Sequence, residues 1–384
     1  MNFPLEYVIV EDHEQDGLRS GEGGIARLKD GRLLMLYSCF HGGGADHSAA
    51  SIAARTSTDQ GRSWSEPATV FTAPESALNV MSAAVIRLRD GRLAAQYCIK
   101  YTQEHLIPVV TFSTDEGQSW STPCPVTDTV GYFVVNNDRL TELRDGTLVI
   151  PYAHHVGTRQ TLDRERWNAH CGLFYSRDGG AQWHRGAHEI RHAPDLFTEP
   201  MFPGWDPNDT EVATLMRERR NVFQEPGVVQ RQDGSLMVYV RSLWAIYRAF
   251  APSVEAPWQD VGVIEGFNVP CGPATIRRLP GTNRLVMLYN DRGTQPFGTK
   301  GFQNRTPLSV AVSDDEGLHW KRLPPLEDDA YNYCYFSLLF HDERFIASYY
   351  QSAVRPGDGP EYLRRRNLAS LKVLRGPSAV FTEG

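Results

Sequence analysis

The sequence predicts an all-β protein, a six-bladed β-propeller of four-stranded antiparallel blades, and three observations lead there. Four eight-residue segments share the pattern Ser-x-Asp-x-Gly-x-x-Trp: Ser57–Trp64, Ser113–Trp120, Ser176–Trp183 and Ser313–Trp320. Six pairs of apolar runs, each joined by a turn, recur at 25–37, 83–97, 139–152, 228–240, 275–289 and 337–350. The composition, 41% hydrophobic with 33 Gly and 24 Pro, suits many short strands and turns. Internal repeats of this size mean a solenoid or a propeller.

Each element follows from local chemistry. In the eight-residue pattern the Asp carboxylate is expected to accept hydrogen bonds from turn N–H groups. The Gly supplies a positive φ, and the Trp packs beneath the turn to anchor the next strand. Asp-Gly between the paired runs, as at Asp30-Gly31, Asp90-Gly91, Asp145-Gly146 and Asp233-Gly234, is a hairpin signal. Strands one and two of each repeat come from the paired runs, the pattern turns strand three into strand four, and strand four reads at 65–71, 121–127, 184–190, 259–265 and 321–327. The fourth repeat has only Ser253–Trp258 in the pattern's place, and the last has none after Tyr350. Its outer strand is assigned to residues 6–12, which closes the ring and removes open sheet edges. Residues 1–384 thus form a single domain, interrupted at about 184–223 between blades three and four. That insertion reads as Pro-rich coil with a short helix at 209–220, either a lid over the ring or a surface excursion.

Composition also excludes classes of function. A net charge of −7 argues against nucleic acid and anionic membranes as partners, so any acidic ligand must be held by local arginines. No apolar run approaches a membrane span, and Met1–Ser20 has neither a basic start nor an apolar core, so the chain is expected in the cytoplasm. Cys39, Cys98, Cys124, Cys171, Cys271 and Cys334 show no metal spacing and read as reduced thiols in strands; no metal or organic cofactor is expected. The sequence leaves the oligomeric state open.

Six innermost strands around one axis bring their leading residues to a common pocket. Those leaders are Gly21-Glu22, Asn79-Val80, Asn137-Asp138-Arg139, Gln224-Glu225-Pro226, Pro270-Cys271 and Tyr333-Cys334-Tyr335. Apolar strands that open on polar or aromatic residues are poor core design and good site design. The pattern aspartates belong to the opposite turns and are read as structural.

The Ser-x-Asp-x-Gly-x-x-Trp pattern is the Asp box, and through it the chain resembles the sialidase superfamily of BNR-repeat propellers over nearly its whole length. Four spacings carry the resemblance further. Glu225, an Asp-Gly turn and Arg241 resemble the segment in which a Glu opens one strand and an Arg ends its partner. Arg305, eight residues before Ser313, matches another carboxylate-binding Arg. Asp46, in a Gly-rich loop eleven residues before Ser57, matches the acid/base Asp. Tyr335 falls at the nucleophilic Tyr, with Tyr333 as its substitute.

The resemblance implies a retaining, exo-acting glycoside hydrolase whose partner is a carbohydrate with a terminal acidic sugar, sialic-acid-like or a uronate. A sialic acid carries a carboxylate on its anomeric carbon and repels a carboxylate nucleophile, so such enzymes use Tyr with a Glu beside it to take the proton. Glu225 would be that base. Asp46 would be protonated, which requires a raised pKa, and would donate to the leaving oxygen. Arg241 and Arg305 would fork the substrate carboxylate, and Glu22, Asn79, Asn137, Asp138, Arg139 and Gln224 would line the pocket. Each key residue also has a structural reading: an axial Glu225–Arg241 ion pair, a turn residue at Asp46, an ordinary propeller aromatic at Tyr335.

One departure stands out. The family's first arginine would lie about twenty-four residues before Asp46, where this chain has Glu22. A carboxylate there opposes a substrate carboxylate unless it is protonated or paired with an arginine such as Arg19 or Arg139. Two alternatives therefore stay open: a glycosidase or lyase of the same fold using Glu22, Asp46 or His47, or a non-catalytic glycan-binding propeller.

Overall fold

The computed structural model describes residues 4–13, 18–156, 169–191, 223–242, 245–293, 305–352 and 369–382. The protein is an all-β propeller. The first unit is typical: Arg19–Arg27, Leu33–Phe40, Ala50–Ser57 and Ala68–Phe71 pair in order, each antiparallel to the next. Leu33 faces Ser57, and Phe40 faces both Arg19 and Ala50. The Asp boxes and the inner-strand starts therefore lie at opposite ends of the strands.

Hydrogen bonding joins the described strands into five sheets, where six separate ones were expected. Three have four strands and one has five. A nine-stranded sheet fuses the second and third repeats through one parallel bridge, Tyr132 to Leu106. The inner strand of the third repeat is broken into Tyr132–Val134 and Thr141–Glu142, and its leading piece reaches the neighbouring repeat. In the five-stranded sheet Glu6–Glu11 pairs antiparallel with Ser370–Pro377, so the two chain ends share a sheet. Most of the 184–223 insertion, including the helix expected at 209–220, lies outside the described residues.

The core sits between repeats. One buried cluster joins Ala26, Leu34 and Ile52 of the first unit to Val80, Ala95 and Val109 of the second. Others join second to third, third to fourth, fourth to fifth, fifth to last and last to first. Each box Trp packs into the cluster shared with the preceding unit: Trp64, Trp120, Trp183 and Trp320.

The box turns have one repeated geometry. In the first, Ser57 Oγ donates to Asp59 Oδ1 at 2.8 Å while accepting from Gly61 N at 2.7 Å. Asp59 Oδ1 also accepts from Ser63 N at 2.9 Å. The same three bonds recur around Asp115, Asp178 and Asp315. Gly61, Gly117, Gly180 and Gly317 all sit at positive φ, as the pattern predicts. Where the fourth box residue is Glu, it ties units together. Glu116 pairs with Arg87 of its own repeat and accepts from Lys29 N of the preceding one, and Glu316 does the same with Arg278 and Gln232 N.

Candidate active site

Five inner strands open on a residue held at positive φ: Glu22 (50°), Ser82 (61°), Asp138 (56°), Glu225 (46°) and Tyr335 (60°). Around three of them the ladder skips, between Gly21 and Gly24, Met81 and Ala84, and Gln224 and Gly227. A bulge re-aims its side chain away from the pleat, and a non-glycine residue at positive φ costs about 1–3 kcal/mol. The cost recurs at one point of the repeat, where side chains meet across the ring.

Tyr335 and Glu225, from the last and fourth repeats, are brought together as the sequence predicts. Tyr335 Oη donates to Glu225 Oε1 at 3.2 Å. Arg241, at the end of the partner strand, donates from Nη1 to Glu225 Oε2 and from Nη2 to Cys271 Sγ at 3.1 Å. Arg305 donates from Nε to Cys271 O at 2.9 Å and from Nη1 to Cys334 Sγ at 3.0 Å, with its guanidinium 5.6 Å from the Tyr335 ring centre. Burial, then the Glu225 carboxylate, pushes the Tyr335 phenol well above its ordinary value, with the two arginines opposing. The group is a phenol that needs a base in contact. Burial also pushes the Cys334 thiol up to about 11, against both arginines.

Asp46 departs from expectation. Its Oδ1 accepts from Arg19 Nη1 at 2.7 Å, with 63% of its side chain exposed. Desolvation pushes its carboxyl up, but the charge and hydrogen bond of Arg19 outweigh this and hold it at about 2, with Lys100 and His47 helping. With that exposure, the Arg19 contact sets its state, and the raised pKa expected of an acid is absent. Asn79 is buried and donates from Nδ2 to Asp46 O and Ser48 O at 3.0 and 2.8 Å, so it fixes the loop. Lys100 Nζ donates to the same Asp46 O at 3.1 Å.

Glu22 is the buried carboxyl of this half of the site, 3% exposed. It accepts from Ser82 Oγ at 2.8 Å and Tyr350 Oη at 3.1 Å, with Arg19 Nη2 at 3.8 Å. Burial pushes it above the usual carboxylate range and Asp46 adds to this, while Arg19, Ser82 and Tyr350 oppose. Arg19 lies 3.7 Å over the Phe40 ring.

Other expected site residues go elsewhere. Tyr333 is buried in the core between the fifth and last repeats, edge-on to Tyr349, with its hydroxyl 3.5 Å from Asp328. Unbroken alternation would put Tyr333 and Tyr335 on one face, but Tyr335 follows the strand Asn332–Cys334 at a positive φ that breaks the pleat, so the two are not interchangeable. Asn137 Nδ2 bridges Gly23 O and Tyr335 O at 2.8 and 3.0 Å, a tie beneath the site. Asp138 pairs with Arg277 at 2.7 Å and accepts from Leu338 N; both residues line an axial cavity nearer the box end. Arg139 is buried against Ala274 O and Thr275 Oγ1 and cannot compensate Glu22. Gln224 is buried opposite Arg241 in register. Cys271 and Cys334, read as structural thiols, contact the arginines, and Cys271 lies outside any strand.

Ser82, Lys100 and Tyr350 were not singled out in the sequence. Aligning the repeats would have found two of them. Ser82 occupies the bulge position of Glu22 and Glu225, and Lys100 faces Asn79 as Arg241 faces Gln224. Among the described residues, no group of three or more His, Cys, Asp or Glu is placed to hold a metal ion, and no helix is long and apolar enough to cross a membrane.

Comparison with known proteins places this geometry. The profile of the BNR repeat-like domain matches residues 102–345. A sialidase of Bacteroides fragilis is 25% identical over 252 residues, 64% of this chain and 39% of that protein, so the chain spans about two fifths of that relative. Among solved structures, a Hadza microbial sialidase superposes with a TM-score of 0.70 at 16% identity, covering 98% of this chain and 69% of its own. Trypanosoma rangeli sialidase in complex with sialic acid gives 0.66 at 12%, covering 97% and 58%. A Dyadobacter fermentans protein of unknown function gives 0.68 at 16%, covering 97% and 99%.

Proposed function

The chain belongs to the BNR repeat-like domain family, within the sialidase superfamily of propellers, and on that premise we propose that it is a retaining, exo-acting glycoside hydrolase of acidic terminal sugars. The observation that carries this reading is the contact of the Tyr335 hydroxyl with Glu225, itself held by Arg241. Tyr335 Oη attacks the anomeric carbon as its proton passes to Glu225, and the bond to the leaving oxygen breaks. Water then attacks the glycosyl-tyrosine, and Tyr335 departs, regaining its proton from Glu225. Arg241 and Arg305 converge beside Tyr335 with planar donors suited to a substrate carboxylate. Asp46, ionised at the loop, serves as the base that activates water. To donate to the leaving oxygen in the first step it must take up a proton, and withdrawal of Arg19 towards an incoming anion would return its carboxyl to the ordinary range.

We propose that the ring has six blades. Dividing the nine-stranded sheet at its single parallel bridge leaves six units in sequence, and the inter-repeat clusters link them in a closed cycle. A ring of six is what brings Tyr335, Glu225 and Glu22 to one axis from the last, fourth and first repeats. The test is a screen of aryl glycosides of sialic acid and uronic acids with the wild-type chain and Tyr335→Phe. Cleavage that the variant loses supports the reading, and equal cleavage of neutral glycosides or an active Tyr335→Phe overturns it.

A further inference from the structure

Glu22 and Tyr335 share the floor of one site. Asn137 Nδ2 donates both to the carbonyl of Gly23, next to Glu22, and to that of Tyr335, at 2.8 and 3.0 Å. Tyr350 completes the link on the side-chain level, with its hydroxyl on Glu22 Oε1 at 3.1 Å and its ring edge-on to Tyr335 at 5.3 Å. Gly21 makes the approach possible, because a Cβ there would stand 2.1 Å from the Tyr350 ring. Glu22 therefore lies one aromatic ring from Tyr335, beside which the proposed mechanism places the substrate carboxylate.

The charges around that position are nearly balanced. Arg241 is paired with Glu225 and Arg19 with Asp46, while Lys100 is turned to the Asp46 carbonyl. Among the described residues no carboxylate pairs with Arg305, so it is the cation left to face an anion beside Tyr335. An ionised Glu22 would oppose that cation; a protonated one would leave it effective and could donate its own hydrogen bond.

Resting on the acidic-sugar reading above, we propose that Glu22 is the specificity-determining group of the site: the substrate carboxylate binds only when Glu22 carries a proton, so each bound anion brings one proton with it. The proton comes from solvent and stays between the two carboxyl groups. The groups facing Glu22 are Arg19 on its own strand, Asp46 on the following loop, Ser82 and Cys98 in the second repeat, and Tyr350 in the last. Asp46 is held at about 2 and the Cys98 thiol is pushed up to about 12 by burial, so neither changes charge near neutral pH. Burial pushes the Tyr350 phenol well above its ordinary value. His47 influences Asp46 and needs its own control.

The test is calorimetric titration of the full chain with N-acetylneuraminate and glucuronate, and with their methyl esters as uncharged controls. Runs between about pH 5 and 8, in buffers of different ionisation enthalpy, report protons taken up per anion bound. The wild type is expected to take up close to one proton above the Glu22 midpoint, with affinity falling up to about tenfold per pH unit. Glu22→Gln, which keeps the size and the acceptor oxygen, should bind the anion without proton uptake and more tightly than wild type at the alkaline end. Ser82→Ala removes a hydrogen bond to the ionised form and should move the midpoint upward. His47→Gln should leave the slope unchanged. A slope that persists in Glu22→Gln, or wild-type binding with no proton uptake, overturns the inference and leaves the acidic-sugar reading standing. No binding of either acid to wild type and Glu22→Gln, or binding of the esters as tight as that of the acids, overturns that reading and this inference with it.

Discussion

At the turn end of the strands, Asp59, Asp115, Asp178 and Asp315 each accept from a Ser hydroxyl and a backbone N–H, and all four lie below the usual carboxylate range. At the axial end, burial pushes Glu22 above that range despite Arg19 beside it. The same chemical group is thus fixed as an ion where donors saturate it in contact with solvent, and made proton-labile where the ring removes it from water. Box aspartates hold hairpins, and the axial end holds the groups suited to proton chemistry.

The largest effect that sharpens this comparison is expected at Tyr335. Tyr335→Phe removes one oxygen and should lower kcat by about three orders of magnitude or more while leaving Tm nearly unchanged. Tyr333→Phe, altering a core hydroxyl, should keep kcat, and a dead Tyr333→Phe beside an active Tyr335→Phe would reverse the assignment. Next come the arginines: Arg241→Lys or Arg305→Lys should reduce kcat/KM on an acidic substrate by about 1–3 kcal/mol. Assays on a carboxyl-reduced substrate check this: the Arg305→Lys loss should vanish there, while Arg241→Lys keeps the part that comes through its pairing with Glu225.

At the other end, Asp59→Ala should cost roughly 1–2 kcal/mol of stability through its turn hydrogen bonds, with kcat of the folded fraction intact. A stable but inactive Asp59→Ala would break the division between the two ends. The smallest effect is in the pH dependence of stability, where the two ends should have opposite signs. Asp59, held at about 2, contributes stability above the ordinary carboxylate range that is lost as pH falls towards 2. Glu22 is raised, so its contribution is present below the ordinary range and is lost as pH rises through its folded value. Denaturant unfolding across pH should show Asp59→Ala converging on wild type in acid and Glu22→Gln gaining on wild type as pH rises.

Much of this division was legible in the sequence, because it follows from repetition. The Asp boxes state their own hydrogen bonds, and the spacings to Glu225, Arg241, Arg305 and Tyr335 place those residues at strand ends that share an axis. What the sequence could not show is which charge meets which. Asp46 is an ion rather than an acid because Arg19, twenty-seven positions away, closes on it. Arg139 looked like a compensating cation but is turned to Ala274 O. Tyr333 and Tyr335 looked equivalent until the backbone at Tyr335 entered positive φ and sent one ring to the site while the other stayed in the core. The fusion of two repeats into one sheet depends on a single bridge that no local pattern encodes.

The central claim, that Tyr335 is the attacking group at the axial end, is tested most directly by mass spectrometry after incubation with a fluorinated acidic glycoside that slows breakdown of a glycosyl-enzyme. One sugar should be found on Tyr335, and none on the Tyr335→Phe variant. An adduct on Glu22 or Asp46, or turnover of the substrate by Tyr335→Phe at the wild-type rate, would contradict it.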